Sequence, residues 1–152
     1  AVAIKWLARD AGVEHIVASV RRVVGASPRI PRVLVVEDDA DLAHTLAETL
    51  ADNAETYCAL TGAEAIEQAR ALLPDLMVLD VALPGDDGFR VVEALRTHNH
   101  LRGIPVVVYA ARDLATDERE RLKLGETRFL TKGRAAPHEV AEAMRELLAI
   151  SG

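Results

Sequence analysis

Three consecutive acids, Glu37, Asp38 and Asp39, close the apolar run RVLVV (32–36); a fourth, Asp80, closes DLMVL (75–79), and Lys132 closes TRFLT (127–131). If these runs are parallel strands, their carboxyl ends meet where ligands bind in open sheets, at the point where strand order reverses. With RVLVV and LMVL as sheet neighbours, about 4.8 Å apart, Asp38 and Asp80 face each other and Glu37 lies alongside. Carboxylates so placed repel unless a cation sits between them. An oxygen-only set with few protein ligands suits Mg²⁺, and no His or Cys is placed to favour zinc. A carboxylate beside Mg²⁺ can attack a phosphoryl donor in line while the metal and an ammonium neutralise the transferring oxygens. Asp80 is then the nucleophile and Lys132 the point charge.

The remaining polar candidates read as scaffolding. Asp39 and Asp41 fit the cap and first turn of a helix. Asp86, Asp87 and Gly88 form an acidic turn whose Asp-Gly step supplies the backbone conformations a turn needs. His15 and His44 lack the surroundings of a phosphodonor histidine, and His98 and His100 fall in a helix-ending loop. Cys58, the single cysteine, has no partner for a disulfide or a CxxC metal site and reads as a buried thiol in TYCAL.

The elements that must position the charged residues alternate from Arg32 onward. RVLVV, ETYCAL, DLMVLD, IPVVVYAA and TRFLTK read as strands; ADLAHTLAETLAD, TGAEAIEQARALL, GFRVVEALRTH, a charged stretch and PHEVAEAMRELLAI separate and follow them. Five β-α units of this kind require parallel strands with right-handed crossovers and helices covering the sheet. Leu42, Leu46 and Leu50 recur every fourth residue, Thr61 and Glu64 have capping-box spacing, and Pro137 suits a first helical turn. Leu76–Leu79 and Val106–Val108 are continuous apolar runs, as central strands covered on both faces should be.

At 152 residues, one domain and an appendage fit. Half the chain is hydrophobic but only 3% is aromatic, so the core must be aliphatic, which again favours an α/β layer fold. Scattered basic residues and a net charge of -6 argue against nucleic acid as a partner. No apolar run reaches the ~20 residues needed to cross a bilayer, and no signal-peptide pattern opens the chain, so a cytoplasmic location is expected.

Residues 1–31 fall outside the five units. GASPRIP (25–31) has linker composition, placing a linker at 26–31 and a domain at 32–150. KWLARDAGVEHIVASVRRVV (5–24) aligns without a gap on RFLTKGRAAPHEVAEAMREL (128–147), with Leu7/Leu130, His15/His138, Val17/Val140, Ala18/Ala141 and Arg22/Arg145 identical. Residues 1–25 are expected to be the last strand and helix of a preceding repeat, or else an amphipathic linker helix.

The motifs VLVVEDD, LDVALPGDDG, IPVVVYAA and FLTKG, over residues 32–150, resemble the receiver (response-regulator) domains of two-component systems. The resemblance implies a flavodoxin-like (βα)5 doubly wound sheet of order 2-1-3-4-5. It implies Mg²⁺ held by Asp38, Asp80 and the Ala82 carbonyl, with Glu37 acting through water. It also implies phosphoryl transfer to Asp80 from a sensor histidine kinase or phosphotransfer domain, and signalling through the fourth helix, fifth strand and fifth helix. Such a domain catalyses its own phosphorylation and dephosphorylation.

Departures from the family pattern separate acceptance from signalling. Where similar domains carry Ser or Thr at the end of the fourth strand, this chain has Ala110, which cannot donate a hydrogen bond to a phosphoryl group. The aromatic switch position is Phe129, without a hydroxyl, and Gly133 replaces the usual proline. Ala82 and Arg112 occupy positions that in similar receivers tune hydrolysis. A switching-deficient interaction module is therefore the alternative. A hydrolase with an aspartyl-phosphate intermediate would need an acid at position 82, where Ala82 stands. With no output domain expected after residue 150, the parent is expected to be a multi-receiver hybrid histidine kinase or scaffold, whose other domains are partners.

Overall fold

The computed structural model describes residues 29–85 and 87–151. The chain divides into two units between Ile30 and Pro31. The expected repeat at 1–25, His15, most of the 26–31 linker and Asp86 lie outside the described residues.

The second unit follows β1 (Arg32–Val36), α1 (Ala40–Leu50), β2 (Glu55–Ala59), α2 (Gly62–Leu72), β3 (Leu76–Leu79), α3 (Gly88–Arg96), β4 (Val106–Ala110), α4 (Thr116–Arg121), β5 (Thr127–Thr131) and α5 (Pro137–Ser151). All strand pairs are parallel, in the order β2-β1-β3-β4-β5 expected from the resemblance. Strand alternation sends Val33 and Val35 to one face, where they pack with Leu46 and Leu50 of α1 and Val140, Met144 and Leu147 of α5. Leu34 and Val36 go to the other, against Ala65 and Ala69 of α2 and Phe89, Val92 and Leu95 of α3. Two aliphatic layers thus sandwich the sheet, and β3 and β4 are buried throughout.

The two edges are more open. Every residue of β5 is only half-buried, and so are four of the five in β2. Cys58 lies on that second edge, so its thiol is half-buried rather than buried, with Sγ 3.8 Å from the Ala43 carbonyl oxygen. Burial still pushes the thiol above the usual range.

Helix starts follow local chemistry. Asp39 caps α1 by accepting from the Asp41 and Leu42 amides at 3.0 and 3.2 Å, and Thr61 caps α2 by accepting from the Glu64 amide. The charged stretch after β4 forms α4, six residues of which none is buried. Packing therefore holds α4 far less than the other helices.

Candidate functional site

Parallel register brings the chemistry to one sheet edge. Val36 pairs with Leu79, so Glu37 and Asp80 leave adjacent strands together, and the Asp80 amide donates to the Val36 carbonyl at 2.9 Å. β4 and β5 pair up to Ala110 and Thr131, after which the Lys132 amide donates to the Ala110 carbonyl at 2.8 Å. Lys132 then reaches back across the strand ends, placing Nζ 2.7 Å from Glu37 Oε1 and 3.2 Å from Asp80 Oδ2.

Glu37 and Asp80 are the two buried polar or charged residues among those described, 2% and 5% exposed, whereas Asp38 is exposed. Carboxylate oxygens of all three lie within 4.8 Å of one another. One ammonium facing three carboxylates leaves two negative charges uncompensated if all are ionised, and unpaired charge in a buried position is costly. The Glu37 carboxyl shows the consequence. Burial raises it to about 7, although hydrogen bonds from Lys132 and from the Asp39 amide act the other way. For Lys132, burial disfavours the ammonium, but the Glu37 hydrogen bond and the Asp80 charge outweigh it and hold the group above the usual lysine value.

The β3 exit depends on Gly88. A Cβ there would sit 2.9 Å from the Asp80 carbonyl oxygen and from the Val81 Cα, so only glycine lets α3 begin this close to the end of β3. The Gly88 amide donates to the Val81 carbonyl at 2.7 Å, and Asp87 caps α3 by accepting from the Arg90 amide at 3.0 Å. Asp87 is thus a turn and cap residue, as its spacing suggests. Asp39 likewise spends its carboxylate on the α1 cap. His44 is exposed and pairs with Glu48.

Ala82 lies two residues beyond Asp80 and is exposed; Ala110 is 3% exposed on the α2–α3 face of the sheet. Phe129 lies opposite Val108 on β5, with the Arg119 guanidinium 5.2 Å from its ring centroid. A groove of about 490 Å³ runs over β5 beside α5, lined among others by Arg119, Phe129, Arg134, Glu139 and Glu142, away from the acidic cluster.

Sequence reasoning missed the contacts of the β4–α4 loop. Arg112 forks onto Glu118 at 2.9 and 2.7 Å, and Glu118 also accepts from the Ala115 amide at 2.9 Å. Asp113 accepts from Thr131 Oγ1 at 2.9 Å and pairs with Arg134 Nη2 at 2.5 Å. Buried Tyr109 donates its hydroxyl hydrogen to the Ala135 carbonyl at 2.6 Å. Tyr109's place beside Ala110 in a buried strand was the single available signal, since a buried hydroxyl needs a partner.

Comparison with known proteins agrees with this geometry. The family model described as the response regulator receiver domain matches residues 33–145. The transcriptional regulatory protein PrrA of Mycobacterium leprae is 37% identical over 121 residues, 79% of this chain and 49% of that protein. The response regulator PleD of Caulobacter vibrioides is 39% identical, over 66% of this chain and 22% of its own length. Hybrid signal transduction histidine kinase D of Dictyostelium discoideum is 38% identical, over 62% of this chain and 6% of its own. The chain therefore spans about half or less of the curated relatives it matches. Among solved structures, the Francisella response regulator 1452 receiver domain superposes with TM-score 0.70 at 28% identity, covering 80% of this chain and 99% of that one.

Proposed function

The chain belongs to the response regulator receiver domain family of two-component signalling, and on that premise we propose that Asp80 accepts a phosphoryl group from a partner's phosphohistidine and later releases it to water. One convergence supports this role: Lys132 Nζ lies 3.2 Å from Asp80 Oδ2, in a cluster with buried Glu37 and exposed Asp38 at the carboxyl ends of the strands. In the transfer, an Asp80 carboxylate oxygen attacks phosphorus in line and the P–N bond to the donor imidazole breaks. The electron pair leaves on that nitrogen, which takes up a proton. Lys132 holds the acceptor carboxylate in place and stands beside the oxygens on which charge is distributed. Attack of water on the aspartyl phosphate then returns Asp80 and inorganic phosphate.

The all-oxygen donor set and its two uncompensated charges fit Mg²⁺ rather than a thiolate- or imidazole-seeking metal. Asp38, Asp80 and the Ala82 carbonyl would hold it, with Glu37 acting through water; when bound, it neutralises charge on the phosphoryl oxygens. Incubation with a phosphohistidine donor or acetyl phosphate, with and without Mg²⁺, tests the role by intact mass. One phosphoryl group is expected on wild type with Mg²⁺ and none on Asp80→Asn. An adduct that survives Asp80→Asn, or its absence from wild type, overturns it.

The donor is then a sensor histidine kinase or phosphotransfer domain, and the readout surface is the face of α4, β5 and α5. A cytoplasmic location and a multi-receiver hybrid kinase as parent, with residues 1–25 ending a preceding repeat, complete the proposal. No helix among the described residues is long and apolar enough to cross a membrane. The buried methyl group of Ala110 favours a second reading, a receiver that binds partners without switching. In that case the Mg²⁺-beryllofluoride adduct forms at Asp80 but leaves partner affinity unchanged.

A further inference from the structure

The turn from Thr131 to Arg134 touches acids in two places. Lys132 reaches inward to Asp80 and Glu37, while Thr131 and Arg134 reach outward to the two oxygens of Asp113. The turn is itself closed, since the Arg134 and Ala135 amides both donate to the Thr131 carbonyl, at 2.9 and 2.8 Å. Asp113 lies in the loop between Ala110 and α4. One short turn therefore connects the ammonium at the acceptor to the base of a helix.

The surroundings let that connection matter. Tyr109 ties the end of β4 to Ala135 from the opposite face of the sheet, so ties to this turn flank Ala110 on both sides, and Ala110 itself contributes no polar side-chain group. Beyond Asp113, the Arg112 fork and the Ala115 amide both engage Glu118, joining loop and helix into one piece. Because α4 buries none of its residues, little packing resists its displacement.

We propose that Asp113 is the positioning residue that carries occupancy at Asp80 to α4, an outer clasp serving where an inner hydroxyl at position 110 is missing; this rests on Asp80 being the acceptor. A phosphoryl group on Asp80 gives Lys132 a new partner and moves Nζ. The 131–134 turn follows, and Thr131 and Arg134 hand the displacement to Asp113 and its loop. The Arg134 ion pair, with Thr131 adding to it, already holds the Asp113 carboxyl below the usual carboxylate range, so the clasp is closed at neutral pH.

The test uses the full 152-residue chain with Mg²⁺ and beryllofluoride, followed by amide chemical shifts. Wild type is expected to shift at Asp80 and Lys132 and also from Leu114 to Leu122. Asp113→Ala, a change at an exposed position, keeps the first set at the same half-saturating beryllofluoride concentration and loses more than half of the second. The charge-reversed pair Asp113→Arg with Arg134→Asp restores the second set, which loss of a merely structural contact would not. Persistence of the second set in Asp113→Ala overturns the coupling, as does a wild type that shifts only at Asp80 and Lys132. A wild type showing neither set overturns the acceptor role and the coupling together.

Discussion

Two carboxylate–cation pairs, whose cations both follow β5's last residue, behave oppositely. Lys132 and Asp80 have side chains 23% and 6% exposed; those of Arg134 and Asp113 are 73% and 56% exposed. At the inner pair, burial weakens solvent screening and a further carboxylate, Glu37, shares the ammonium, so charge is in surplus and calls for a cation. At the outer pair, solvent screens both partners, and the pair fixes geometry while adding little to stability. Similar groups thus make a site where they are buried and a removable clasp where they are exposed.

The sharpest way to break this contrast is pH, because the two regions carry shifts of opposite sign. Burial holds the folded-state Glu37 carboxyl at about 7, above its ordinary 4.5. Its contribution to stability is therefore fully present below about 4.5 and is lost as pH rises through about 7. Asp113 and Glu118 are lowered, Asp113 first by the Arg134 hydrogen bond and Glu118 to about 2 first by that of Arg112. Their contributions are present above the ordinary carboxylate range and are lost as pH falls below it. Without divalent cation, the melting temperature should fall as pH rises from about 5 to about 8, and saturating Mg²⁺ should flatten the slope. Glu37→Gln should remove the slope and stabilise the metal-free protein at pH 8 by about 2 kcal/mol, read by thermal melts. A slope that survives Glu37→Gln would mean that the inner cluster carries no surplus charge.

The inner region was legible in the sequence and the outer one was not, for a physical reason. Glu37, Asp38, Asp80 and Lys132 each follow closely on an apolar strand, so sheet topology alone brings them to one edge. The 2-1-3-4-5 order came with the receiver resemblance. The outer contacts join two loop residues 21 apart, Asp113 and Arg134, or a loop residue and a helix residue six apart, Arg112 and Glu118. Neither spacing belongs to a helix or strand period, so nothing marked them. Cys58 was misplaced for a related cause: an apolar run does not say whether its strand is central or an edge, and β2 is an edge.

A smaller effect is expected from Ala110→Thr, which sharpens the contrast by adding the missing inner link. Ala110 is 3% exposed and packed in the α2–α3 layer, so the extra atoms should destabilise by about 1 kcal/mol. In return, the new hydroxyl can donate to a phosphoryl mimic on Asp80. With Mg²⁺ and beryllofluoride, amide shifts from Leu114 to Leu122 should exceed those of wild type and should persist when Asp113→Ala is added. Equal shifts in the two proteins would show that the outer clasp already transmits all there is to transmit.

The smallest expected effect isolates α4. Glu118 accepts from Arg112 through both oxygens and from the Ala115 amide; Arg112 and Ala115 are exposed and Glu118 is half-buried. Removing charge there should barely move the global melting temperature, since the helix buries nothing that holds the two core layers. Local opening is different, because a six-residue helix gains little from its own hydrogen bonds and depends on its ends. In Glu118→Gln, amide exchange from Arg119 to Leu122 should accelerate while exchange in β3 and β4 stays unchanged. Asp80 should still take beryllofluoride at the wild-type concentration. If exchange in β3 rose as well, the outer ion pairs would be supporting the core, and the division between a buried site and an exposed clasp would have to be withdrawn.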